Sequence, residues 1–255
     1  MKVKILGTVS PYLRFDHNGP GILVEDDGYN VLLDCGSGIT RLLTFPYHLE
    51  KLHAFISHFH RDHYNEIYNI QYASHVFHRQ GELKEPIQIY LPMVPQQRYE
   101  DVTSEEYAFS NYHKIIDNLE GIKVGNMTVT FCLTGHTTES YAFKVTDGKN
   151  TVVYTSDISF EAKELIVRFA KNADLLICDS SLLESYGFPE INSHITAKQA
   201  AIIAKEANVK QLLLTHFWPL EIQGRYLKEA IEIFSCTSIA RERMTIDYEQ
   251  ERKTI

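Results

Sequence analysis

The sequence predicts an α/β (α+β) fold in which two mixed β-sheets pack together with helices on the outside. Two observations carry this, and a third marks where the fold holds its site. Apolar runs of strand length cluster in both halves of the chain. Amphipathic helical stretches follow those strands, an order that two sheets flanked by helices accommodate. Several of the strands stop on a histidine or an aspartate, where a rigid sheet edge can fix a ligand-type side chain. No low-complexity segment and no Gly/Ser- or Pro-rich linker interrupts the chain, so residues 1–255 are read as a single domain.

Met1 to Gly7 reads as the first strand and lacks the long apolar core of a signal peptide. Thr8 to Pro20 is a loop rich in polar and turn residues. Two strands follow, Gly21–Glu25 and Tyr29–Leu33, joined at the hairpin signal Asp26-Asp27-Gly28. A helix is expected from Ile39 to about Phe45, stopped near Pro46. The strand Ala54–Ser57 leads into a histidine-rich turn. Beyond it Ile67, Ile70, Gln71, Ala73 and Val76 suit an amphipathic helix, and Ile87–Leu91 is another strand. Pro92 to Glu120 is expected to be a partly helical excursion, either a lid or subunit contact or an ordinary surface connection. Strands return at Met127–Leu133, Tyr141–Thr146 and Thr151–Thr155. A helix from about Glu161 to Ala170 and a short strand, Asp174–Cys178, ending in Asp179 come next. Thr196–Asn208 reads as a helix with Thr196 as N-cap, Gln211–Thr215 as a strand ending in His216, and Leu227–Phe234 as the last helix. Gln250 to Ile255 is a charged tail.

Composition narrows the class. Hydrophobic residues make up 44 % and charged residues 23 %, the balance of a soluble globular protein. Lys+Arg total 25 against 33 Asp+Glu, a formal charge of -8, which does not attract nucleic acid by bulk electrostatics. Cys35, Cys132, Cys178 and Cys236 form no C-x-x-C pair, which favours reduced thiols in a cytoplasmic protein. No apolar run reaches the length of a membrane span.

The organising stretch is Ser57-His58-Phe59-His60-Arg61-Asp62-His63. A helix would scatter its imidazoles around the axis and a strand would divide them between faces. A tight turn at a strand end can aim all of them, with the carboxylate, at one place. Imidazole nitrogen and carboxylate oxygen suit zinc and its neighbours, and such residues are costly in a core with nothing to bind. The alternative is a solvated, histidine-rich turn. Elsewhere Thr134-Gly135-His136, Ser156-Asp157 and Thr215-His216 follow apolar strands. With His58, His60, Asp62 and His63 these give seven candidate ligands, enough for two metals with a position left open. His194 falls beside this set. His17, His48, His53, His75, His78 and His113 lack the strand-end context and read as surface or satisfied core residues. Asp179 ends its strand at the same edge and could orient a ligand imidazole or His194; the alternative is a surface aspartate capping a loop.

The H-x-H-x-D-H pattern, followed by a strand-end His, Asp and His, resembles the metallo-β-lactamase superfamily. The likeness runs from Leu6-Gly7 and Asp34-Cys35-Gly36 to Leu214-Thr215-His216. It implies an αββα sandwich with the motifs meeting at one edge of the two sheets. His58, His60 and His136 would bind one metal, Asp62, His63 and His216 the second, and Asp157 would bridge them. Ser193-His194-Ile195-Thr196-Ala197 resembles the phosphodiesterase branch, which includes the tRNA 3′-processing endonucleases (RNase Z); there this histidine serves the phosphate. The alternative for His194 is a histidine of a helix-capping region. Two departures from the tRNA endonucleases stand out: the run from Asp157 to His194 has no room for their tRNA-gripping arm, and the overall charge is wrong for that substrate. Tyr72-Ala73 and the compact length look like small bacterial and phage members, among them the anti-Pycsar phosphodiesterases, which degrade cyclic nucleotide signals in immune evasion.

The resemblance thus implies a metal-dependent hydrolase, a two-metal phosphodiesterase that opens cyclic nucleotides to linear nucleoside monophosphates; a base resting against aromatic residues, which tolerate more than one base, would give it loose base preference. The ions are expected to be zinc, with manganese or iron compatible with the same ligands. Asp62 and Asp157 would hold the attacking water, and His194 would stabilise charge on the phosphate or protonate the leaving oxygen. The alternatives are an RNase Z-like nuclease acting on tRNA 3′ ends and a non-catalytic metal-binding protein; a β-lactamase or thioesterase reading leaves His194 without a role. The expected partner is a small cyclic nucleotide, with neither tRNA nor membrane. A homodimer is expected from the aromatics of Pro92–Glu120, with Tyr112 or His113 reaching a neighbouring active site as substrate contacts.

Overall fold

The computed structural model describes residues 1–15, 17–118, 120–186 and 193–251. Two seven-stranded mixed sheets form its centre. The first contains β1 (Lys2–Gly7), β2 (Gly21–Asp26), β3 (Tyr29–Leu33), β4 (Leu52–Phe55), β5 (Ile87–Leu91) and β6 (Ser110–Lys114), with β14 (Thr245–Asp247) on the outer side of β1. The second runs β13 (Thr237–Ile239), β12 (Gln211–Thr215), β11 (Leu175–Asp179), β10 (Thr151–Tyr154), β9 (Tyr141–Thr146), β8 (Met127–Leu133) and β7 (Ile122–Val124). In each sheet a parallel block adjoins an antiparallel one: β3 to β6 are parallel, as are β10 to β13.

Side-chain alternation builds three apolar layers. Ile22 and Val24 of β2 face inward, where they join Leu33, Phe55, Phe143, Val145, Tyr154 and Leu213 between the sheets. Leu23, between them in sequence, faces outward with Leu32 and Ala54 toward α2 (Ile67–Arg79) and α3 (Gln96–Thr103). The outer face of the second sheet, with Val153, Leu176 and Leu214, is covered by α4 (Lys163–Phe169), α5 (Ala197–Glu206) and α6 (Gln223–Ile231). Strands buried on both faces read as continuous apolar runs, which is why the central strands were legible. Thr196 caps α5 as expected, through a reciprocal pair: its hydroxyl accepts from Gln199 N at 3.1 Å, and the Gln199 side chain accepts from Thr196 N at 2.9 Å.

Several boundaries differ from the sequence reading. The helix expected over Ile39–Phe45 is a single 3₁₀ turn, Thr40–Leu42. The Glu66 carboxylate accepts from Gly38 N, Thr40 N and the Thr40 hydroxyl and ties this segment down as a loop. The Pro92–Glu120 stretch holds α3, but it also contributes β6, whose sequence Ser-Asn-Tyr-His-Lys carries little apolar pattern because it lies at a sheet edge. β7, β13 and β14 were missed for a related reason, being three residues each at or beside an edge. The last long helix starts at Gln223, four residues before Leu227, because its first turn is polar. The tail expected from Gln250 continues α7 (Tyr248–Glu251), and residues 252–255 lie outside the described ones. Among the described residues no helix is long and apolar enough to cross a membrane.

Candidate metal centre

The histidine stretch leaves β4 and turns at once into a one-turn helix, α1 (Arg61–Tyr64), with His60 at its N-cap. His58 therefore leaves from the segment between β4 and α1, His60 from extended backbone at the N-cap, and Asp62 and His63 from the first helical turn. The loop after β3 holds this turn in place. Cys35 N donates to His63 O at 2.7 Å, and a Cβ on Gly36 would lie 2.1 Å from Asp62 O, so only glycine permits that approach. From the second sheet His136 follows β8, Asp157 follows β10 and His216 follows β12. Ser156 and His216 adopt positive φ, as does Asp34 at the end of β3, with values of 52°, 65° and 60°. Three of the nine non-glycine residues with positive φ among the described residues thus lie at this edge of the sheets.

The seven side chains fall into two groups of potential metal ligands, each with donor atoms within 4.8 Å of one another. His58, His60, His136 and Asp157 form one; Asp62, His63 and His216 form the other. Asp157 lies between them. Its Oδ2 is 3.4 Å from His58 Nε2 and 3.6 Å from His136 Nε2, while its Oδ1 is 3.2 Å from His63 Nε2 and 2.9 Å from His216 Nε2. A third grouping joins Asp157 and His216 to Asp179 and His194.

Three features test whether a metal suits this set. His58 Nε2 and Asp157 Oδ1 are buried without a hydrogen bond. Ring nitrogens also confront each other, His63 Nε2 with His216 Nε2 at 3.0 Å and His60 Nδ1 with His136 Nε2 at 3.2 Å. Two imidazole lone pairs face each other stably only across a proton or a cation. Finally, burial pushes His58 down to about 4 and also lowers His60 and His136, which leaves these rings neutral and able to ligate. Burial opposes a charge on His63, but Asp157, Asp34 and Asp62 outweigh it and raise its pKa, so this half of the site favours a positive charge. The histidine and aspartate clusters fit a binuclear metal site.

The far side of four of the five rings is held as well. His63 Nδ1 donates to Asp34 Oδ2 at 2.7 Å, His136 Nδ1 to Ser193 O at 2.7 Å, and the Ser57 and Ser181 hydroxyls lie 2.9 and 2.7 Å from Nδ1 of His58 and His216. Such contacts fix the tautomer and turn the other nitrogen to the centre. Asp34 is the hub of this support: fully buried, it also accepts from Ser57 N and Oγ, Tyr154 Oη and Ser156 Oγ. The sequence reading did not single out Asp34, Ser57, Ser156, Ser181 or Tyr154 as functional; a polar residue at the very end of an apolar strand, as at Asp34 and Ser57, was the available signal. It also missed Ser10, whose hydroxyl donates to Asp62 Oδ2 at 2.5 Å.

His194 lies beside the cluster, its ring centroid 5.3 Å from that of His136 and 5.2 Å from that of His216. Its Nδ1 donates to Asp179 Oδ2 at 3.0 Å. Burial works against a charge on this imidazole, but the Asp179 carboxylate prevails and lifts its pKa to about 9. Asp179 is itself fully buried, and its Oδ1 accepts from Ser181 N and Oγ. Tyr112 and His113 are not brought to the cluster within one chain. Both belong to β6; the Tyr112 hydroxyl accepts from Gln71, and His113 stacks on Tyr90 at 4.6 Å.

This fold and this donor set define a metallo-hydrolase of the β-lactamase type. The family described as beta-lactamase superfamily domain matches residues 29–217, and the chain belongs to it. Among its relatives is the probable metallo-hydrolase YhfI of Bacillus subtilis, 30 % identical over 236 residues that cover 92 % of this chain and 94 % of that protein. The crystal structure of YhfI superposes with a TM-score of 0.87 at 29 % identity, covering 96 % of this chain and 98 % of that one. Ribonuclease Z of Archaeoglobus fulgidus is 26 % identical over 310 positions, covering 96 % of this chain and 97 % of that protein. Human tRNase Z, short form, shares the fold, with a TM-score of 0.70 at 20 % identity over 97 % of this chain and 99 % of that one.

Proposed function

We propose that the protein is a two-metal phosphodiesterase that hydrolyses cyclic nucleotides to linear nucleoside monophosphates, and so removes a cyclic nucleotide signal. The observation that carries this is His194. It stands beside the metal-binding cluster, its ring centroid 5.3 Å from that of His136, with its Nδ1 donating to the buried Asp179 carboxylate, which favours the charged ring. A phosphodiester brings negative charge that such a cation matches, and that charge grows in the transition state. Two divalent ions, when bound, lower the pKa of a coordinated water and neutralise phosphoryl oxygens. The chain's own groups supply the rest. Asp62 and Asp157 orient the attacking water; a bond forms from its oxygen to phosphorus as the bond to the ribose oxygen breaks. His194 stabilises the phosphoryl oxygens or gives its proton to the departing ribose oxygen, while Asp179 keeps the ring oriented.

RNase Z activity is the second reading, favoured by a relative of that name that matches along nearly its whole length. That alignment of 310 positions exceeds the 255 residues of this chain, so the relative carries stretches without a counterpart here. We further read the chain as a homodimer joined near the 92–120 segment, where Tyr107 is half-exposed and lies 5.6 Å from the half-exposed ring of Tyr72; Tyr112 and His113 could then reach only a neighbouring copy's site. The discriminating experiment offers metal-loaded protein a panel of cyclic nucleotides and a tRNA precursor, with and without chelator. Chelator-sensitive release of linear monophosphate supports the proposal. Efficient trimming of the precursor with no monophosphate product overturns it.

A further inference from the structure

Two loops that adjoin the metal centre in sequence carry exposed apolar side chains that the chemistry above does not use. Tyr12, Leu13 and Phe15 come from the loop after β1, and Trp218, Leu220 and Ile222 from the loop after β12. The patch they form is close to the site in sequence. Tyr12 is two residues from Ser10, which donates to Asp62, and Trp218 is two residues from His216. Two residues span at most about 7 Å, so Trp218 springs from backbone next to a candidate ligand and Tyr12 from backbone next to the serine that supports one.

Polar ties beneath the patch hold the loops together. Phe217 N donates to Thr8 O at 2.8 Å and Ser10 N to Phe217 O at 3.1 Å. Arg14 donates to Pro219 O at 3.3 Å, and Glu221 accepts from Tyr186 at 2.5 Å and Arg225 at 2.7 Å. On this pinned base the apolar side chains are left in water. Tyr12 and Trp218 are 46 % and 43 % exposed and meet edge-to-face, with centroids 6.0 Å apart at 79°, so each keeps surface free for a further ring. The Arg14 guanidinium lies 5.1 Å from the Phe15 ring centroid. Aromatic rings with a nearby arginine are the composition of a surface on which bases stack.

We propose that Trp218 and Tyr12 form the stacking platform for the nucleobase of the substrate, which rests on the phosphodiesterase reading above for the identity of that substrate. Every base offers a π-face, so the platform gives affinity with loose base preference.

Trp218 is the single tryptophan of the chain, so its emission reads the platform directly. Metal-loaded protein is titrated with adenosine 5′-monophosphate and with ribose 5-phosphate, excited at the red edge of the indole band. Saturable quenching by the nucleotide and none by the base-free phosphate is expected. In turnover, Trp218→Ala should raise KM for cyclic nucleotides about tenfold, more than it lowers kcat, and Trp218→Phe, which keeps a ring, should raise KM less. Equal quenching by both ligands, or none at saturation, overturns the platform. So does a Trp218→Ala protein whose KM is unchanged; if its mass by light scattering also falls by half, the patch is a contact between copies. If no cyclic nucleotide is hydrolysed at all, the phosphodiesterase reading falls, while the quenching titration still decides the platform.

Discussion

Replacing Asp34 by asparagine perturbs the support of the metal centre while leaving every candidate ligand in place. Asp34 is fully buried, and its two oxygens divide the work. Oδ1 accepts from Ser57 N at 2.8 Å; Oδ2 accepts from His63 Nδ1 at 2.7 Å and Tyr154 Oη at 2.9 Å. An amide cannot serve both sides. With its nitrogen at the Oδ2 position it confronts the His63 and Tyr154 donors, and with its nitrogen at Oδ1 it confronts the Ser57 backbone N–H. Each buried donor left without an acceptor costs about 1–3 kcal/mol, a sizeable share of the roughly 5–15 kcal/mol that holds a domain folded. The same change frees the His63 ring to rotate or switch tautomer, which is worth about 10–100-fold in metal affinity for a partner of a ligating histidine. Competition with a chelating dye gives the affinity, and urea unfolding of metal-free protein separates the stability loss from the metal effect. Wild-type affinity and stability in Asp34→Asn would refute the hub role.

Four further outcomes follow from the same geometry. His194→Ala should lower turnover on the order of a hundredfold or more while metal content by elemental analysis stays intact; loss of metal would make His194 a ligand, as its grouping with Asp157, Asp179 and His216 allows. His58→Ala and His60→Ala should each lose both activity and metal, because the two rings share one ligand group. Chelation should lower the thermal midpoint reversibly, since free metal at a hundredfold above its Kd stabilises by about 2.7 kcal/mol; an unchanged midpoint contradicts a structural contribution from the ions. Light scattering at micromolar concentration should give a dimer mass, and a monomer removes the role suggested for the 92–120 segment.

The central strands and the seven candidate ligands were legible for physical reasons. Strands such as Ile22–Val24 and Leu212–Leu214 are covered on both faces, so burial leaves an unbroken apolar run. The ligands stand where those runs stop, at His58, His136, Asp157 and His216. Edges were illegible because half-buried strands need no apolar pattern: Ser110–Lys114 is intermediate or exposed throughout. The loop over Ile39–Phe45 looked helical because the carboxylate that fixes it, Glu66, lies more than twenty residues away. The supporting shell was hidden for the same reason. Serines and a tyrosine are common residues, and what marks Ser181 or Tyr154 is contact across the fold with His216 or Asp34.

The central claim is that one edge of the two sheets holds two metal ions bridged by Asp157. Anomalous diffraction from crystals of zinc-loaded protein tests it most directly. Two peaks about 3.5–4 Å apart are expected, one among His58, His60 and His136 and the other among Asp62, His63 and His216, with Asp157 between them. A single peak, or a second peak away from Asp157, would contradict the account.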